Sequence, residues 1–211
     1  MLYLKYFCFN PFQQNTYLVY DDKGEAFIID PGNYTAEENK ILVDFLEEKK
    51  LTLRRLLLTH AHIDHVLGNK FIFDTFGLEP EMHKDDLFFI EHMTQSGEVY
   101  GVPCEQSPEP KAFINEGDKI ILGKYALECF HTPGHSPGSI SFYNAENKIL
   151  ISGDVLFSGS IGRTDLPKGD HETLLKSVRE KLFVLPDHVK VYSGHGPSTT
   201  IGHEKKTNPF F

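Results

Sequence analysis

The stretch Leu53-Arg54-Arg55-Leu56-Leu57-Leu58-Thr59-His60-Ala61-His62-Ile63-Asp64-His65 sets three imidazoles and a carboxylate within six residues, directly behind an apolar run. The apolar run predicts a buried strand. His60 and His62, two apart, point the same way only on extended backbone, and Asp64 continues that set. His65 then needs a turn. The spacing is not the helical four-residue pair of a zinc-binding helix, so it predicts a loop at a strand's end, where functional groups concentrate. Imidazole and carboxylate together suit zinc, iron and manganese.

Three more ligand types stand in similar places further along. His135 lies in Thr132-Pro-Gly-His-Ser-Pro-Gly-Ser139, Asp154 in Ile151-Ser-Gly-Asp-Val155, and His195 in Tyr192-Ser-Gly-His-Gly-Pro197. Taken together they repeat one design, a strand running into a small residue and then a ligand. Asp30 closes the apolar run Glu25–Ile29 ahead of Pro31-Gly32. It is either a turn former or a carboxylate that orients a ligand histidine, since such histidines usually donate their second N–H to one. His131, four residues before His135, is a candidate support for that ligand. His83, His92, His171, His188 and His203 lack partners in the sequence and read as surface or core.

Around these positions the chain alternates strands and helices. Strands are predicted over 16–20, 25–29, 53–58, 119–122, 125–130, 139–143, 148–152 and 189–193, with a first strand near the N-terminus. Asp21-Asp-Lys-Gly24 reads as a hairpin turn. Helices are predicted over 35–50, where Thr35 and Glu38 form a capping box, and over 65–76 with Gly77 ending it. Two more are predicted over 84–95 and 171–183. Residues 101–112 read as a Pro-rich surface loop near the site. Two βα halves of similar order predict two sheets packed together with helices outside.

The chain has 211 residues, a net charge of -9, 11 histidines and 3 cysteines. The length fits a single domain over residues 1–211. The acidic balance argues against nucleic acid, which needs clustered Lys and Arg. No run approaches the apolar length of a membrane span, and no N-terminal segment reads as a signal peptide. Cys8, Cys104 and Cys129 give no disulfide framework. The expectation is a cytoplasmic protein with no membrane partner, monomeric or homodimeric.

His60-x-His62-x-Asp64-His65, then His135, Asp154 and His195 in that order, preceded by Asp30, resembles the metallo-β-lactamase superfamily. Thr132–Ser139, Gly153–Phe157 and Gly162-Arg163-Thr164-Asp165 resemble its hydroxyacylglutathione hydrolase (glyoxalase II) branch. The resemblance implies a four-layer αββα sandwich of the α/β class, with the metals at one edge of the sheets. It implies two divalent metal ions, zinc first, with iron or manganese also admitted. His60, His62 and His135 would hold one ion and Asp64, His65 and His195 the other, with Asp154 bridging. Asp64 and Asp154 would be the catalytic carboxylates, and Arg163 a substrate-binding cation.

Two divalent ions carry more charge than Asp64, Asp154 and a bridging hydroxide return. The cavity would stay positive inside an acidic protein and attract a small anionic substrate. Metal coordination lowers the pKa of water to about 7, which supplies the nucleophile. A thiol leaves as thiolate with little protonation, whereas an amide nitrogen needs a donor the sequence does not offer. The expected substrate is an anionic thioester such as an S-2-hydroxyacylglutathione. The family's glutathione-binding C-terminal helical region is replaced by the short end Asn208-Pro-Phe-Phe211, with only Lys205 and Lys206 nearby. That leaves the thiol carrier as glutathione or another thiol. The alternative is a mononuclear iron persulfide dioxygenase, a branch that shares the Gly-Arg-Thr-Asp segment but continues with Phe-Gln where Leu166-Pro167 stands here. Lactonase and β-lactamase activities would share the same nucleophile.

Overall fold

The computed structural model describes residues 1–211. Its first sheet holds β1 (Leu2–Phe9), β2 (Gln14–Asp21), β3 (Glu25–Ile29), β4 (Thr52–Leu57), β5 (Pro80–Met82) and β6 (Ala112–Phe113), in that order. The first three run antiparallel, and β3 to β6 pair in parallel. The second sheet holds β7 (Lys119–Leu122), β8 (Tyr125–His131), β9 (Ile140–Asn144), β10 (Ile149–Gly153), β13 (Lys190–Ser193) and β14 (Thr199–Thr200), ordered β14-β13-β10-β9-β8-β7. A small ribbon, β11 (Leu156–Phe157) with β12 (Ser160–Ile161), leaves the end of β10.

Alternation along the strands builds the layers. On β3, Phe27 and Ile29 point between the sheets and meet Ile140, Phe142 and Ile151. Ala26 and Ile28 point the other way, into the cluster that holds Leu42 and Leu46 of helix α1 (Ala36–Lys49). The second sheet turns Leu150 and Val191 outward, against Leu174, Leu175 and Ile201 of α6 (His171–Ser177) and α7 (Ile201–Thr207). Both faces of each central strand are therefore buried, which is why they read as continuous apolar runs. The result is the four-layer αββα sandwich. No helix is long and apolar enough to cross a membrane.

Three helices depart from the expected spans. Helix α1 has the predicted capping box at Thr35 and Glu38. The helix expected over 65–76 is split into α2 (Ile63–Val66) and α3 (Asn69–Phe76). The break lies at Gly68, whose N–H donates to the Pro31 carbonyl at 2.8 Å and which packs against the Asn33 side chain. The helix expected over 84–95 is a 3-10 turn followed by α4 (Leu87–Glu91) and α5 (Met93–Val99). It breaks at His92, whose ring Nδ1 binds the Phe88 carbonyl at 2.8 Å. The last, expected over 171–183, is regular only to Ser177 and then widens into a π-helical turn over Val178–Leu182. The loop after Gly101 does not line the site. It packs over the first-sheet helices, where Gln106 donates to the Ile90 carbonyl and Ser107 accepts from Asn69.

Candidate metal centre

All seven expected ligand residues meet at one edge of the sandwich, at the C-terminal ends of β4, β8, β10 and β13. His60 Nε2 lies 3.2 Å from His135 Nε2, which lies 2.8 Å from His62 Nδ1. Beside this trio, His195 Nε2 is 3.0 Å from Asp64 Oδ2, and His65 Nε2 is 3.5 Å from the same oxygen. Asp154 stands between the groups. Its Oδ1 is 3.4 Å from His65, and its Oδ2 is 3.6 Å from His135 and 3.5 Å from His195.

Burial and charge divide the two groups. Burial, reinforced by the neighbouring imidazoles, pushes His60 well below the usual histidine range and His62 down to about 3. Both rings are thereby held toward the neutral form that a metal ligand needs. Burial also works against charging His65 and His195, but the carboxylates of Asp64 and Asp154 overcome it and raise both. The same attraction outweighs burial at Asp64 and Asp154 and lowers them.

The donor set fits a metal. Three imidazole nitrogens cannot face one another at these distances without a shared cation or proton. The Nε2 of His65 and the Oδ1 of Asp154 are buried with no hydrogen-bond partner. Buried polar atoms are almost always paired, so such orphans at the centre of a His/Asp cluster are what a cation would satisfy.

The surrounding chain fixes the rings. Asp30 sits at the end of β3 with φ of 52°, fully buried. It accepts from Thr59 N and Thr59 Oγ1, each at 2.6 Å, and from His65 Nδ1 at 3.0 Å. Thr59 Oγ1 in turn is 3.1 Å from His60 Nδ1. His135 Nδ1 donates to the Arg163 carbonyl at 2.7 Å, and His195 Nδ1 to the Phe12 carbonyl at 3.1 Å. Such outer acceptors set the tautomer and turn the other nitrogen inward. Glycine is required where strands approach: a Cβ on Gly194 would lie 2.0 Å from Asp154 Oδ1.

Two expected residues stand differently from the ligands. His131 touches none of the seven. Its Nε2 binds the Pro137 carbonyl at 2.8 Å and its ring stacks on His83 at 4.1 Å, so it supports the 132–139 turn from behind. The Arg163 guanidinium is exposed and paired with Asp165 through two bonds of 2.7 Å at the rim. Its main-chain carbonyl is what reaches the centre.

The sequence reading missed Asp86. This carboxylate is fully buried and accepts from Ala61 N at 3.0 Å, Ser136 Oγ at 2.9 Å and Gly138 N at 2.6 Å. It ties the His60–His62 segment to the turn that carries His135. Burial raises its pKa despite those donors. In the sequence it falls inside the span predicted as helix over 84–95, so nothing distinguished it. Asn10 was also missed. Its side-chain amide donates to the carbonyls of Gly32 and Asp64, both at 2.9 Å.

The centre opens into a cleft of about 520 Å³. Phe88, Phe89, Met93 and Tyr100 of the α4–α5 region form part of its wall, with Phe12, Phe157 and Ile161 also lining it.

A two-sheet sandwich with a buried imidazole–carboxylate centre at one edge defines a metal-dependent hydrolase. The chain belongs to the metallo-β-lactamase superfamily, whose family model matches residues 9–195. It is 43% identical over 201 residues to hydroxyacylglutathione hydrolase GloC of Haemophilus influenzae, covering 94% of this chain and 93% of that one. Among solved structures it resembles BLEG-1 B3 metallo-β-lactamase, at 39% identity and a TM-score of 0.90, covering 99% of both chains. It also resembles TTHA1623 in a di-iron-bound form, at 36% identity and a TM-score of 0.88, covering 98% of this chain and 100% of that one.

Proposed function

We propose that this chain is a dinuclear metal-dependent thioester hydrolase acting on substrates of the S-2-hydroxyacylglutathione kind. His60, His62 and His135 would hold one divalent ion, and Asp64, His65 and His195 the second. The observation that carries the reading is the position of Asp154, with one oxygen toward His65 and the other toward both His135 and His195. A carboxylate so placed would be shared by the two groups of donors, which is what a dinuclear site needs. The name of the Haemophilus relative supports the thioester. Zinc is the first candidate, and the di-iron form of TTHA1623 keeps iron as the second.

When bound, the ions would supply an acidified water and an electrophile for the carbonyl oxygen. The protein's own part is to hold the donors still and to shed protons. Burial already holds His60 and His62 toward the neutral form. The carboxylates of Asp64 and Asp154 raise His65 and His195, so a metal on that side would compete with protons for those imidazoles. Outside the seven, the ionisable side chains lining the cleft are His92, Tyr100 and Arg163; His92 is engaged with the Phe88 carbonyl and Arg163 with Asp165. A leaving group that departs as thiolate, with a pKa near 8.5, needs none of them as a proton donor.

The test is metal analysis of the purified protein together with thiol release from S-lactoylglutathione and other acyl thiols. Two divalent equivalents per chain and free thiol are expected. Fully metallated protein that frees no thiol overturns the reading. Oxygen consumption with glutathione persulfide at one iron per chain would assign the dioxygenase reaction instead.

A further inference from the structure

We propose that Glu204 is a positioning residue. With Asn208 it fixes the tip of the β11–β12 ribbon as a wall of the cleft, and so sets how tightly substrate is held. The inference rests on the thioester reading above for the substrate that tests it.

The ribbon begins two residues after Asp154, and its Phe157, Ser160 and Ile161 line the cleft. Its base is gripped by the strand ends that carry ligands. The Leu156 carbonyl accepts from Ser152 Oγ at 3.1 Å and from Ser193 Oγ at 2.8 Å, each two residues before a ligand. The tip is held from elsewhere. It turns at Gly159, whose φ of 71° favours glycine. Gly159 N donates to Glu204 Oε2 at 2.9 Å, and the Ser160 carbonyl accepts from Asn208 Nδ2 at 2.9 Å. Both partners belong to α7 and the residue that ends it.

Glu204 is fully buried, and the metal centre makes no use of it. Its Oε1 accepts from Thr199 Oγ1 of β14, and its Oε2 also accepts from Asn208 Nδ2 at 2.8 Å. The adjacent Lys205 turns away, to Asp187 and the Leu185 carbonyl. A buried carboxyl group costs stability unless its oxygens are hydrogen-bonded, and an apolar side chain would fill the same space at lower cost. What the carboxyl group adds is position. It joins the ribbon tip to the C-terminal helix and to β14, which pairs with the strand leading to His195. Asn208 uses one amide group for both the ribbon and Glu204, so the two side chains form one clamp. Phe157, two residues from the clamped glycine, has its ring centre 6.4 Å from that of His195. Loosening the tip therefore moves the wall beside the centre and leaves the ligands on their strand ends. The consequence is a change in KM rather than in kcat or metal content.

The experiment measures kcat and KM for S-lactoylglutathione, metal equivalents, and hydrogen exchange at the Gly159 amide, all on the metal-loaded enzyme. Glu204→Ala and, as the milder variant, Asn208→Ala should each raise KM about threefold to tenfold, the worth of a lost hydrogen bond or two. Both should speed exchange at Gly159 and leave kcat and metal content within about twofold. Glu204→Gln should restore KM to within about twofold. Its carbonyl oxygen can accept from Gly159 and Asn208, and its amide can donate to the Thr199 hydroxyl, which turns to accept. Faster exchange at Gly159 with KM unmoved in both alanine variants would reduce the clamp to a structural contact and overturn the proposal. A fall in kcat and metal content at constant KM would overturn it too, by showing that the clamp acts on the centre. If no thioester is hydrolysed, the thioester reading fails on its own. The same KM ratios are then read on the persulfide, lactone or β-lactam that the enzyme does turn over.

Discussion

The two sheets bring the seven proposed ligand residues to the centre by different means. The first contributes His60, His62, Asp64 and His65 from a single loop behind β4. Their relative positions follow from local backbone, and Asp30 and Asn10 brace that loop from the same half. The second contributes His135, Asp154 and His195 from three separate strand ends. Each is placed only if β8, β9, β10 and β13 are in register, including the shift between Ile151 and Gly153. One half is local and the other is tertiary. The first should lose function one ligand at a time, and the second by losing shared geometry.

Single-ligand removal breaks this comparison most severely. Asp64→Ala takes a donor from one group, and Asp154→Ala takes one from between both. Asp154→Ala should therefore lower turnover by about 10³-fold or more, as a polarising cation is worth several kcal/mol. It should lower metal content by more than Asp64→Ala does, read as metal equivalents after gel filtration. An Asp154→Ala protein that retains two equivalents would show that the halves do not share this carboxylate.

Asp86 gives the next largest effect, because it is the contact through which the tertiary half grips the local one. Asp86→Ala leaves the N–H groups of Ala61 and Gly138 without their acceptor and the Ser136 hydroxyl with Ser139 alone. It should cost about 3 kcal/mol, since each stranded buried donor carries a penalty of 1–3. For a chain of this length that is a fall in Tm of about 10 °C. Metal affinity at the His60, His62 and His135 group should fall about 10- to 100-fold. The group of Asp64, His65 and His195 should be less affected. A uniform loss at both groups would mean that Asp86 acts on stability alone.

The same division decides what could be read from the residues in order. The motif from His60 to His65 was legible because its spacing is the geometry. His135, Asp154 and His195 were legible because each follows a strand and a small residue. Asp30 was visible as a strand-ending carboxylate whose role stayed open until Thr59 and His65 were seen to donate to it. Asp86 was not legible, since its partners lie 25 to 52 residues away. The Phe12 carbonyl that holds His195 lies 183 residues from it and carries no side-chain signal. The helix break at Gly68 shares that distant origin, while the break at His92 is local, with its ring on the Phe88 carbonyl four residues back. Periodicity there predicts continuous helix, and contacts with the Pro31 turn and a histidine ring override it.

The seam between the sheets offers the smallest and most selective test, because there the halves meet through neutral groups. Burial pushes the Cys129 thiol up to about 12. Tyr17 donates its hydroxyl to the Ser193 carbonyl at 2.6 Å across the seam, and burial raises it too. Both are held neutral in the folded protein, while in the unfolded chain they ionise near pH 8.5 and 10. The folded values are raised, so their contribution is complete below the unfolded pKa and is lost as pH climbs toward the folded one. Tm should hold up to about pH 8.5 and then decline, the Cys129 share coming first. Cys129→Val, similar in size and without a titrating group, should leave Tm at pH 7 within a few degrees and shrink the decline between about pH 9 and 10. A thiol reagent at pH 8 should modify the exposed Cys8 readily and reach Cys129 only after unfolding. Rapid modification of Cys129 in the folded enzyme would mean that the seam opens, and that the tertiary half is held less firmly than its buried core implies.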